Sequence, residues 1–156
     1  MTTADTDTAV RTSVRVTAGP ERAFEVFTTG MDRWWPRSHH LLPDDLARVV
    51  VEPRAGGALK EESVTGRACV WGRVLTWDPP RTFAFAWLIG PRWEVPDPDA
   101  AGSRVTVTFT PVDGGTRVDL VHDRLDAHGS GWEKVRDAVA AEGGWPGLLR
   151  DYTGVL

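Results

Sequence analysis

The 156-residue chain contains a single cysteine and a single tyrosine. With Cys69 alone, no intrachain disulfide can form, which agrees with a reducing compartment. Long apolar runs are missing too, and no stretch approaches the roughly 20 residues of a membrane-spanning helix. The N-terminal MTTADTDTAV lacks the apolar core of a secretory signal. Together these absences predict a cytoplasmic protein. Positive charge is also short: 18 Lys and Arg stand against 22 Asp and Glu, a net charge of −4. Such a chain lacks the electrostatic footprint of a nucleic-acid binder and suits anionic membrane surfaces poorly. Compact chemical signatures are absent as well, with no G-x-S-x-G, P-loop, dinucleotide fingerprint or zinc-ligand spacing. No cofactor, no metal and no catalytic residue are therefore assigned from sequence.

What the chain does have is tryptophan, eight in all, at 34, 35, 71, 77, 87, 93, 132 and 145. Each brings a large apolar body and one N–H that needs a partner when buried. The length suffices for one domain with a core of its own. Residues 1–9 are expected to be a disordered tail and residues 10–156 a single domain. The segment 10–18 alternates Val10, Thr12, Val14 and Val16 against Arg11, Ser13 and Arg15, the period of a half-buried strand. Pro20 opens a helix over 19–29 with an apolar stripe of Ala23, Phe24 and Phe27. A second helical turn over 31–35 ends at Pro36.

Strands follow at 46–54, with Ala47, Val49 and Val51 on one face, and at 58–63. The strand 67–77 places Cys69, Trp71, Arg73, Leu75 and Trp77 together, and 81–87 groups Phe83, Phe85 and Trp87. A hairpin joins 104–111 to 116–123. Helical spacing returns at 130–142, with Trp132, Val135 and Val139, and at 145–156, with Leu148, Leu149 and Tyr152. Consecutive strands with short turns imply an antiparallel meander, and helices gathered at the ends imply an α+β class.

The stretches GPERAFEVFTTGMDRWWP, VVVEPRAGG, WGRVLTWDPPRTFAFAW and GGWPGLL occur in the order and spacing of the START-like, SRPBCC superfamily. The chain most resembles the Aha-like branch, homologues of the activator of the heat-shock chaperone ATPase. The resemblance spans roughly residues 10–152. It implies a helix-grip fold: a curved antiparallel sheet of about seven strands around a long C-terminal helix, with two short helices after the first strand and an internal cavity between sheet and helix. Relatives include lipid carriers, cyclases, hydrolases, self-sacrificing resistance proteins and co-chaperones, so the fold does not carry one function. Eukaryotic activators have an additional chaperone-binding domain for which this chain leaves no room.

Within that frame the expected function is binding of a small apolar or aromatic ligand. Trp35, Trp71, Phe85 and Trp87 supply walls and stacking surfaces, and Arg73 and His122 orient a polar end. Placing Arg73 inside depends on the aromatic face of 67–77 turning inward, which burial of large rings favours. A cyclase- or hydrolase-like enzyme using the same cavity is one alternative, and a chaperone-interacting module is another. The chain is read as a monomer or homodimer. Trp34 and Trp35, adjacent in a helical turn, point apart, so one anchors the segment while the other faces the cavity entrance. His39 and His40 lack the i, i+4 spacing of a helical metal site and are read as solvated loop residues. Cys69 is read as a small core residue, since nothing nearby in sequence lowers its pKa.

Overall fold

The computed structural model describes residues 8–156, so most of the expected N-terminal tail lies outside the described residues. Seven strands form one antiparallel sheet: β1 (Val10–Val16), β2 (Leu46–Val51), β3 (Ala58–Ser63), β4 (Ala68–Asp78), β5 (Thr82–Trp87), β6 (Ser103–Val112) and β7 (Gly115–Asp123). Their order across the sheet is β1-β7-β6-β5-β4-β3-β2, a meander whose first strand closes against the last. Helix α1 (Pro20–Phe27) follows β1, and a 3-10 turn, Met31–Arg33, follows α1. A further 3-10 turn at Leu125–His128 leads into α2 (Trp132–Ala140) and α3 (Trp145–Thr153).

Most of the expected faces hold. Along β1, Arg11, Ser13 and Arg15 are exposed while Val10, Thr12, Val14 and Val16 turn toward the core. Pro20 occupies the first turn of α1, whose Ala23, Phe24 and Phe27 are all buried. In α3, Leu148, Leu149 and Tyr152 are buried against the rest of the fold, and the Tyr152 hydroxyl donates to the Ala23 carbonyl at 2.7 Å. That bond ties the C-terminal helix to α1, and burial pushes the phenol's pKa up.

The C-terminal helix comes in two joined pieces, matching the separate helical spacings at 130–142 and 145–156, because Gly143 and Gly144 make an elbow between α2 and α3. Only glycine fits the second position: a Cβ on Gly144 would lie 2.3 Å from the Val139 carbonyl oxygen and 2.4 Å from that of Ala138.

Strand β4 departs from simple alternation. Opposite β3, pairing jumps from Leu59↔Gly72 to Lys60↔Val70, which leaves Trp71 as an extra residue. Opposite β5, it jumps from Val74↔Phe85 to Thr76↔Ala84, which leaves Leu75 as the extra residue. Each bulge reverses the alternation. Cys69, Trp71 and Trp77 therefore remain on the inner side, but Gly72 and Val74 replace Arg73 and Leu75 there. Leu75 is 46% exposed, and Val74 is 1% exposed. A similar shift on β2 puts Leu46 in the core in place of Ala47.

Much of the interior beneath α3 is filled. Phe27 packs against Trp34, Phe83, Phe109 and Tyr152, with ring centroids 5.1–6.3 Å apart. Around Phe27 the expected space between sheet and helix is thus closed by aromatic packing, and the open volume lies at one end of the sheet, in part between Trp87 of β5 and Trp145 and Leu148 of α3.

Candidate functional site

The segment 34–42 builds that end. Trp34 turns into the core, 4% exposed, and donates its indole N–H to the Val26 carbonyl at 2.9 Å. Trp35 turns the other way and lies against Trp71, centroids 5.1 Å apart and planes 24° from parallel. Its own N–H donates to the His39 carbonyl at 3.0 Å, folding the loop back over the ring. Asp32 pins the start of the loop by accepting from the Arg37 guanidinium at 2.8 Å and the Val49 amide at 2.9 Å. Burial works to raise the Asp32 pKa, but these two bonds and the charges of Arg37 and Arg48 hold it below the usual carboxylate value.

A cavity of about 260 Å³ opens beside this segment. Its ring walls are Trp35, Trp71, Trp87 and Trp93, with Leu41 and Ile89 completing the apolar surface. Ser38, His39, His40 and Glu61 supply the polar groups. A smaller lobe of about 140 Å³ shares Trp35, His39, Trp87 and Trp93, and adds Trp145, Leu148 and the glycine elbow. A larger but more open groove, about 410 Å³, lies toward the far end of β4, where Phe24 and Trp77 are its only rings.

Both loop histidines belong to the cavity wall, contrary to the expectation of free solvated residues. His39 Nε2 lies 3.0 Å from the Gly143 carbonyl and so donates to it, joining the loop to the helix elbow. His40 Nδ1 donates to the Leu42 carbonyl at 2.7 Å. That bond leaves Nε2 of a neutral ring as an acceptor. Glu61, on β3, is 3% exposed and accepts the amide N–H groups of Leu41 and Leu42 at 2.6 and 3.0 Å. Cys69 pairs with Glu61 across β3 and β4. Burial, and secondarily the Glu61 charge, push its thiol pKa up, as suits an inert thiol.

Of the six expected site residues, Trp35, Trp71 and Trp87 line the cavity. Phe85 is fully buried behind Trp71, 5.9 Å between centroids, and supports the wall without forming it. Arg73 is turned out of the interior by the β4 bulges and donates to the Pro98 carbonyl on the surface. His122 is fully buried, set back from the cavity behind the rings of Trp87 and Trp145 at 5.3 and 6.2 Å.

His122 anchors a polar chain whose directions follow from one donor. The Trp145 indole can only donate, so His122 Nδ1, 3.0 Å away, must accept. Nε2 of the neutral ring then carries the proton and donates to Ser103 Oγ at 2.8 Å. The Ser103 hydroxyl in turn donates to His128 Nε2, also at 2.8 Å. Burial drives the His122 pKa down to about 3, His128 adds to the fall, and Asp123 opposes it. Burial also lowers the His128 pKa. The chain fixes Trp145, which forms part of the smaller lobe.

Sequence reasoning missed Glu61 as a wall residue. Its alternation with Leu59 and Ser63, both buried, was the available signal. Trp93 is a further wall residue that the sequence reading did not assign to the site. It is 48% exposed and held at a positive φ of 58°, an unusual backbone for so large a side chain.

The family model for Activator of Hsp90 ATPase homolog 1-like proteins matches residues 17–153. Comparison with curated proteins finds no match. Among solved structures, the chain is 40% identical to an anthrahydroquino-gamma-pyrone synthase, Txn09, complexed with SUM; the match covers 95% of this chain and 96% of that one, at a TM-score of 0.66. It is 29% identical to CalC, a self-sacrificing resistance protein from Micromonospora echinospora, covering 96% and 94% of the two chains at a TM-score of 0.65. Protein Ms6760 from Mycobacterium smegmatis shares the fold at 22% identity and a TM-score of 0.65, with 97% and 91% covered. With the helix-grip sheet, the paired C-terminal helices and a family match over nearly the whole length, this chain belongs to the Activator of Hsp90 ATPase homolog 1-like family.

Proposed function

We propose that the protein binds a small, planar, largely apolar aromatic molecule in the cavity beside Trp35. The observation that carries this reading is the set of four indoles, Trp35, Trp71, Trp87 and Trp93, around one volume of about 260 Å³. Rings at a cavity wall offer stacking and edge contacts to a flat guest, and few polar groups are needed to orient it. Kinship with a synthase named for a fused aromatic product supports a polycyclic guest. The test is a titration of intrinsic tryptophan fluorescence with naphthalene- and anthraquinone-type compounds, paired with thermal shift. Saturable quenching with a raised melting temperature is the expected result. A flat response across the series to millimolar concentration overturns the reading.

Ring closure on the bound molecule is the second reading, favoured by the synthase relative and by the acceptor Nε2 of His40 on the same wall. A base there takes the phenolic proton as the oxygen adds to the β-carbon of a conjugated enone in the precursor; the C=C π pair moves out to an enolate, the proton returns to its α-carbon, and no group leaves. Mass analysis of incubations with open-chain aromatic precursors, comparing wild type with His40→Ala, tests it. Equal conversion by the two proteins removes His40 from the mechanism, and no conversion by either leaves a binding protein.

A further inference from the structure

We infer that Glu61 sets the ligand preference of the cavity, selecting aromatic molecules that carry a protonated amine or another strong hydrogen-bond donor and rejecting aromatic acids. This deepens the proposed binding function and rests on it. Glu61 is 3% exposed and lies on the cavity wall. Its two carboxylate oxygens accept one backbone N–H each, from Leu41 and Leu42. Each oxygen has a second lone pair, which those bonds leave unused. No Lys or Arg among the described residues lies within ion-pair distance. The neighbouring cations are engaged elsewhere: Lys60 with Glu62 at 3.8 Å, Arg48 also with Glu62, and Arg67 with Asp44 at 3.9 Å.

The other ionisable side chains on this wall are His39 and His40, and each directs a ring N–H to a backbone carbonyl, not to Glu61. The wall therefore carries a buried negative charge offset only by two amide dipoles. A buried charge of this kind gains most from a partner that supplies a positive or donor group. A carboxylate brought in beside it meets repulsion in a site with little water to screen it.

The experiment compares three ligands of one ring size on the purified protein: naphthylmethylamine, naphthylmethanol and naphthoic acid, with unsubstituted naphthalene as the reference. Affinities come from fluorescence titration and calorimetry near neutral pH. The expected order is amine, then alcohol, then acid, with the amine tighter than the acid by about tenfold or more, the scale of one hydrogen bond to a charged group. Glu61→Gln keeps an oxygen for one loop amide and is expected to collapse that ratio toward one. Its melting curve shows whether the loop survives, and the wild-type series tests the inference by itself if it does not. Binding of all four compounds with equal affinity, or with the acid tightest, overturns the role of Glu61 and leaves the aromatic cavity standing. Failure of all four to bind overturns both.

Discussion

His122 gives the sharpest quantitative test, because its neutral state is built into the fold. Its pKa falls from 6.5 to about 3 on burial, while the unfolded chain keeps the ordinary value. Between those limits the unfolded state binds a proton that the folded state does not. Stability therefore is fully present above the unfolded value and is lost as pH drops from 6.5 toward 3. Two pH units below 6.5, the loss from this one side chain is on the order of 3 kcal/mol. The perturbation is His122→Gln, whose amide oxygen accepts from Trp145 and whose amide nitrogen donates to Ser103. The substitution keeps the polar chain and removes the titration.

Urea unfolding of both proteins at about pH 7.5 and about pH 4.5 then isolates the term, since acids such as Asp32 and the partner His128 are common to both. Wild type is expected to lose roughly 1 M more in its urea midpoint than the variant between the two conditions. Superimposable acid responses would refute the assigned tautomers and the buried neutral ring.

Three further outcomes follow from the geometry. Arg73→Ala leaves ligand affinity within about twofold and stability within about 0.5 kcal/mol, because the guanidinium is outside the sheet; a large loss of binding in the fluorescence titration would return it to the cavity. Trp93→Gly relieves the positive φ of 58° and raises stability by about 1 kcal/mol, while ligand affinity drops because the cavity loses one wall; thermal melts and titrations on the same samples read both effects. Gly144→Ala drives a methyl into the Val139 carbonyl, costing about 3 kcal/mol and lowering the melting temperature by roughly 10 °C; a variant that melts like wild type would show that the elbow can yield.

The elements of this fold are legible from local periodicity. Alternation in β1, Pro20 at the head of α1 and the Leu148–Leu149–Tyr152 stripe all act over a few residues, and each forms as expected. The orientation of Arg73 is not legible, because two single-residue bulges decide it. Those bulges depend on how β4 meets a different neighbour on each side. The location of the cavity is hidden for a similar reason. Tyr152 and Phe27 fill the space under α3 through contacts between residues more than a hundred positions apart. Trp35 could be placed at an opening because two neighbouring side chains on a turn must diverge. For Glu61 the alternation with Leu59 and Ser63 offers the inward face but not the role, which comes from two loop amides about twenty residues earlier in the chain.

The indoles of Trp34, Trp35, Trp71, Trp87 and Trp145 follow one another with centroids 5.9, 5.1, 5.6 and 5.7 Å apart. At such spacing their transition dipoles couple strongly, so the five behave as one extended chromophore running from the core to the pocket. Near-ultraviolet circular dichroism of this protein is then a collective signal, and a guest touching Trp35 or Trp87 alters the whole band. The molecule carries its own optical gauge of occupancy, with no label attached.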